Sequence, residues 1–280
     1  MRALIAEGAV FLNGRAVRVL SRPLHAADVV DVVPPAHELL APPPLQPPLG
    51  LLHEDGWVVV VDKPAGVPSQ PPRERRPNEL TVHERIALQL AHRDGHRVEL
   101  LLFHRLDRLT TGIMLFARHH DAARALARAW SEGLSDKRYL TVVRGDPGEK
   151  PLTLSWAIAG DRLIPGRQRV VRVGRPARTD VRRLALAGEF ALVELRPHTG
   201  RTHQVRVHLG HAGFPVAGDT LYGGGGGVPR PFLHAWRLAL PHPRTGRTLR
   251  LEAPVPADMA AFLSRHGVEV AAALAVVTTR

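Results

Sequence analysis

A chain of 280 residues without a single cysteine has room for one large domain and a small appendage, and neither disulfides nor thiolate metal sites can belong to its design. Its formal net charge of +12 and isoelectric point near 11.3 describe a surface that attracts polyanions, nucleic acid being the commonest. Secretion and membrane insertion are not expected, because Glu7 and Asn13 interrupt the opening MRALIAEGAVFLNG and the apolar run Val268–Val277 is short and carries Glu269; a soluble, cytoplasmic protein is the expectation.

In chain order, Ala9–Leu12 and Ala16–Leu20 flank Asn13-Gly14, a hairpin signal because both central positions of a type I′ turn need positive φ. Asp28–Val33 offers a third strand. EGAVFLNGRAV followed by DVVDV resembles the second half of the alpha-L RNA-binding motif without its first helix. Residues 1–33 therefore read either as a truncated RNA-binding appendage or as a plain β-hairpin unit. Seven prolines between Pro34 and Pro48 exclude helix and central strand, which makes residues 34–50 a linker. Beyond it a main domain is expected over 51–260 and a C-terminal extension over 261–280.

Within the main domain, Trp57–Val61 is a β-branched run halted by Lys63-Pro64, a buried strand entering a turn. Thr81-Val82-His83-Glu84 has capping-box spacing and predicts a helix carrying Ile86 and Leu90. Another helix is predicted over Asp121–Glu132, ended by Gly133. Strand-like runs follow at Leu140–Arg144, Val170–Val173, Val181–Leu186, Phe190–Arg196 and Leu238–Leu240, with a helical apolar spacing at Val205, Leu209 and Ala212. Strands succeed one another without helical crossovers, so the fold class is α+β with a mainly antiparallel sheet and flanking helices.

The most informative stretch is His104-Arg105-Leu106-Asp107-Arg108-Leu109-Thr110-Thr111-Gly112, a polar loop between apolar Leu100–Phe103 and strand-like Ile113–Phe116. Flanking arginines favour an ionised Asp107, as a nucleophile or base requires, yet a surface ion-pair cluster would have the same composition. HRLDRLTTGIMLFAR resembles the catalytic segment of the RluA-type pseudouridine synthases. Similarity to that family extends to VVVVDKPAGVPSQP (Val58–Pro71), KRYLTVVRG (Lys137–Gly145), ELRPHTGRTHQVRVHLGHAGFPVAGDTLYG (Glu194–Gly223) and PFLHAWRLALPHPRTGRTLRLEAPVP (Pro231–Pro256), in family order. Two departures are visible: Asp62 stands where Asn is common, and Thr111 where Ser is usual.

The resemblance implies the pseudouridine synthase fold with a catalytic cleft, a cofactor-free enzyme, and isomerisation of uridine to pseudouridine in rRNA or tRNA. It assigns Asp107 as the carboxylate that either adds to C1′ or removes the C2′ proton. The target nucleotide must be extruded from its stack, with Arg105 filling the vacated space and Tyr139 stacking on the uracil and helping to deprotonate C5. Arg201 is implied as the salt-bridge partner of Asp107. Arg108, Lys63, Thr111 and His203 complete the expected RNA-facing set.

Eight arginines between Arg162 and Arg183, among them Arg169 and Arg172, face only Asp161 and Asp180 in the same stretch and suggest a backbone-binding stripe. No metal is expected: His203 and His208 are five apart and do not share a helical face, and no HExxH pattern occurs. The expected partner is structured RNA, with a monomer as the default. The rival reading is a catalytically silent RNA-binding or ribosome-assembly factor on the same scaffold; a small-molecule glycosidase would need a second positioned carboxylate, and none stands out.

Overall fold

The computed structural model describes residues 10–12, 15–17, 23–25, 28–32, 47–71, 79–225 and 227–278, and the chain divides into two compact units, 1–48 with 84–99 and 49–83 with 100–280. In the first unit, β1 (Val10–Leu12) pairs antiparallel with β2 (Arg15–Ala16) on one side and β3 (Val30–Val32) on the other, so the third strand finds the place its sequence suggests. The Asn13-Gly14 turn and most of the Pro34–Pro48 connector lie outside the described residues. Helix α1 (Val82–Asp94) falls mostly in this unit and buries Ile86 and Leu90 completely.

The second unit is built on one ten-stranded sheet with the order β4-β5-β7-β14-β8-β13-β12-β9, β15 pairing β14 and β6 pairing β7 at its margins. Its strands are β4 (Gly50–Glu54), β5 (Val58–Lys63), β6 (Leu101–Leu102), β7 (Thr111–Ala117), β8 (Asp136–Arg144), β9 (Leu152–Ser155), β12 (Arg178–Ala187), β13 (Phe190–Pro197), β14 (Leu233–Pro241) and β15 (Thr248–Glu252). A separate hairpin is made by β10 (Ala157–Gly160) and β11 (Gln168–Val171). The four valines Val58–Val61 are wholly buried, as expected of a strand covered on both faces. All pairings in the large sheet are antiparallel except β7 with β14, where Thr111 and Gly112 lie opposite His234 and Ala235. Gly112 is required there: its φ is +106°, and a Cβ would come within 2.2 Å of the Ala235 carbonyl oxygen.

Helices cover both faces. On one, α2 (His120–Ser131) buries Ala122 and Leu126 against Ile113, Leu115 and Leu238, and the C-terminal helices α4 (Ala257–Arg265) and α5 (Val270–Thr278) close a core of Leu140, Leu192, Trp236, Phe262 and Leu263. Elsewhere α3 (Gln204–His211) packs Val205 and Leu209 onto Val143, Val193 and Leu195. The α+β expectation holds; β4, β6, β9, β10 and the helices α4 and α5 were not anticipated, and α5 with the end of α4 occupies what reads as a mere extension. Burying Met259, Phe262 and Leu263 makes α4 part of the core.

Candidate active site

The loop bearing Asp107 is fastened from beneath. Leu106 donates its N–H to Ser69 Oγ at 3.1 Å and its carbonyl accepts that same hydroxyl at 2.7 Å, while Thr110 N–H donates to the Asp107 carbonyl at 3.1 Å. His104 accepts the Leu115 N–H on Nε2 at 2.9 Å, so its own proton sits on Nδ1; burial drops its pKa to about 4 and keeps the ring neutral. Lys63 is fully buried, and its ammonium donates to the carbonyls of Pro64 (3.0 Å), Arg108 (2.8 Å) and Thr110 (2.8 Å). It is therefore a clamp on the Asp107 loop and not the RNA contact its position suggests. Thr111 is corrected likewise: it is buried, and its hydroxyl meets His234 Nδ1 at 2.9 Å.

The Lys63 clamp carries a testable linkage. Burial pulls its pKa from 10.5 down to about 7, so between those values the unfolded chain holds a proton that the folded one has released. Unfolding free energy then rises with pH across that window, by at most about 1.4 kcal/mol per pH unit, and the penalty is fully present below it. Urea melts from pH 6 to 10 on the wild type and Lys63→Met should diverge in slope over this range. Parallel profiles would exclude the depressed ammonium.

Asp107 meets Arg206, whose Nη1 lies 3.1 Å from Oδ2. The same guanidinium grips Asp219 through Nε (2.6 Å) and Nη2 (2.9 Å), and stands 5.2 Å from the Tyr222 ring centre. Burial opposes its charge, but the bonds and charges of Asp219 and Asp107 prevail and hold its pKa above the ordinary arginine value. This corrects the expected Arg201–Asp107 pair: Arg201 donates through Nε to the Pro176 carbonyl at 3.1 Å and lines the same pocket. The reason is local. Helix α3 begins at Gln204, so Arg206 rides on the helix, whereas Arg201 remains in the loop before it. Gln204 Oε1 fixes that loop by accepting Thr199 Oγ1 (2.6 Å) and Arg201 N–H (3.1 Å).

Around Asp107 a pocket of about 270 Å³ is lined by Arg105, Thr110, Lys137, Tyr139, Arg201 and His203, among others, near the lower end of small-molecule sites. Tyr139, on β8 opposite Leu195 and Ala235, presents an aromatic wall. Burial and the Asp107 charge raise its pKa, so the phenol stays protonated. Arg105 is exposed at the rim. Arg108 is tied down, its Nε donating to the Gly66 carbonyl at 2.9 Å and its Nη2 meeting Glu79. His203 is the one non-glycine residue of positive φ among those described, at 55°, and its Nε2 lies 3.7 Å from Asp107 Oδ2.

The arginine stripe divides in two. Arg167, Arg178, Arg182 and Arg183 pair with Asp161, Asp180, Glu194 and Asp146 respectively. Arg162, Arg169, Arg172 and Arg175 stand exposed on and beside the β10–β11 hairpin, available to an external polyanion. His208 is buried in packing, with Nδ1 3.1 Å from Thr179 Oγ1 and Nε2 3.2 Å from the Trp156 carbonyl.

An anionic group fixed at the wall of a pocket, beside an aromatic ring and beneath exposed guanidinium groups, suits chemistry on the sugar or base of a nucleotide. Comparison with known proteins agrees. The family described as RNA pseudouridylate synthase matches residues 57–211. An uncharacterized RNA pseudouridine synthase of Chloroflexus aurantiacus is 37% identical over 92% of this chain and 82% of its own length. A ribosomal large subunit pseudouridine synthase C of Salmonella typhimurium is 32% identical over 90% and 83%. Among solved structures, human RNA Pseudouridylate Synthase Domain Containing 4 superposes with a TM-score of 0.66 at 27% identity, over 79% of this chain and 94% of that one.

Proposed function

The chain belongs to the RNA pseudouridylate synthase family and isomerises uridine in RNA to pseudouridine, and we propose that Asp107 is the carboxylate that does so. The observation that carries this reading is the placing of Asp107 between Arg206 and the Tyr139 wall of one pocket. Arg206 donates to Oδ2 at 3.1 Å, and His203 Nε2 faces that same oxygen at 3.7 Å. Oδ1 is then the reacting atom, whether it adds to C1′ or takes the C2′ proton.

The reaction breaks the C1′–N1 bond, turns the uracil within the pocket, joins C5 to C1′, passes the C5 proton to solvent and returns one proton to N1, which carries N–H in the product. No redox change or cofactor enters this balance. The uridine is flipped out of structured rRNA or tRNA at a cost of a few kcal/mol, Arg105 enters the gap, and Tyr139 stacks on the freed base. Residues 1–33 serve as an accessory RNA contact and 51–260 as the catalytic domain, in a cytoplasmic monomer.

Incubation with transcripts labelled with tritium at uridine C5 tests the reading: tritium is released to water while no free uracil appears. Free uracil would mark a hydrolase instead. Arg169 and Arg172 are assigned to the phosphate backbone. Replacing both by alanine should flatten the slope of log affinity against log salt by roughly 1.4–1.8 in filter binding, at 0.7–0.9 per lost contact. An unchanged slope would remove the hairpin from the RNA interface.

A further inference from the structure

The β10–β11 hairpin and Asp107 are joined by a chain of hydrogen bonds. Gln168, the first residue of β11, donates its N–H to Tyr222 Oη at 2.9 Å. Tyr222 Oη in turn lies 2.9 Å from His203 Nδ1, and His203 Nε2 faces Asp107 Oδ2 at 3.7 Å. With the Gln168 N–H occupying the phenolic oxygen as acceptor, the hydroxyl proton is directed to Nδ1, and the imidazole proton is left on Nε2. The opposite tautomer would aim a bare nitrogen lone pair at a carboxylate oxygen.

We infer that Tyr222 is a positioning residue that holds His203 as its Nε2–H tautomer, so that His203 steadies Asp107 Oδ2 alongside Arg206 and ties the RNA-gripping hairpin to the reacting carboxylate. The inference rests on the role given to Asp107 above. Three further observations support it. His203 alone among the described non-glycine residues holds a left-handed backbone, a strain of the kind stored where a side chain must be aimed. Its ring packs edge-on against Tyr222 at 5.8 Å between centres. Burial lowers its pKa, with Arg206 and Arg105 acting in the same direction and Asp107 and Asp219 against it, which keeps the ring neutral as the relay requires. The 3.7 Å gap exceeds a hydrogen bond; contacts of this sort shorten when substrate is bound.

The test uses the full chain, enzyme in excess, and an unmodified transcript pool of rRNA and tRNA labelled at uridine C5. Tyr222→Phe removes only the hydroxyl and keeps the ring beneath Arg206. Its saturating single-turnover rate should fall about tenfold, while the enzyme concentration giving half the maximal rate stays unchanged. His203→Asn, whose side chain tolerates a left-handed backbone, should lose more. The double variant should be no slower than His203→Asn alone, since groups acting as one unit are non-additive. In wild-type enzyme, long-range proton–nitrogen NMR should show His203 protonated at Nε2, and in Tyr222→Phe a mixture.

A wild-type rate for Tyr222→Phe, multiplicative losses in the double variant, or an Nδ1–H tautomer would each overturn the relay. The NMR result stands even if a variant proves unstable. Absence of tritium release by the wild type on every transcript would instead defeat the proposed role of the site.

Discussion

Asp107→Asn is expected to keep RNA on a filter with nearly wild-type affinity while tritium release falls by about 10⁴-fold, the scale seen when a residue acting directly on the reacting atoms is removed. The amide nearly preserves the volume of the side chain, and the loop that carries it is held by Ser69 and Lys63 through backbone atoms, so the pocket keeps its shape. On the proposed assignment, affinity is expected to come from elsewhere, chiefly the exposed arginines of the hairpin and the rim. A variant that turned over at the wild-type rate would remove Asp107 from the chemistry. One that lost binding in step with catalysis would make it a structural ion-pair partner.

Arg206→Met carries the second large effect, and it separates two roles. Asp219 is only 1% exposed, and removing its guanidinium partner leaves a buried carboxylate without compensation, a loss of about 3–5 kcal/mol in unfolding free energy. Asp107 loses its donor at the same time, and the rate should drop about 10²–10³-fold, as it does when a preorganised donor is removed. Adding Asp219→Asn deletes the stranded charge. The double variant should regain most of the stability and none of the activity. Recovery of both together would reduce Arg206 to a scaffold element serving Asp219. Arg206→Lys is expected to rescue poorly, because one ammonium cannot reproduce the fork that binds Asp219 and still touch Asp107.

How much of this is legible in the chain depends on whether the signal is local. The Asp107 loop and Tyr139 stand out because a motif in sequence is also a motif in space, and the alternation of strands announces the α+β sheet. Lys63 and Thr111 are misleading for the converse reason: their partners are Thr110, 47 positions on, and His234, 123 positions on, and burial by distant segments turns apparent RNA contacts into supports. Arg201 and Arg206 stand in one segment, HTGRTHQVRVH, and both could reach a carboxylate. The start of α3 decides between them, and element boundaries are the least readable feature of a sequence. A usable signal for Arg206 did exist in the second acid, Asp219 of GDTLYG, since a buried carboxylate demands a fork-shaped partner. The last helix, α5, stays hidden because Val270–Thr278 is apolar nearly all round and shows no periodicity to betray a helix.

The parallel pairing of β7 with β14 has a consequence for how such a molecule comes into being. Strand β7, which leaves the Asp107 loop, pairs with β5 and β6 and is joined to the β14-β8-β13-β12-β9 half of the sheet through β14, at Thr111 and His234. During synthesis the ribosome must therefore deliver nearly the whole sheet before its halves can meet, and until then the apolar edge of β7 waits uncovered. Contacts of such long range slow folding and prolong exposure to aggregation, so this chain should lean on chaperones early in its life, and fragments lacking β14 should yield insoluble material in place of a weak enzyme.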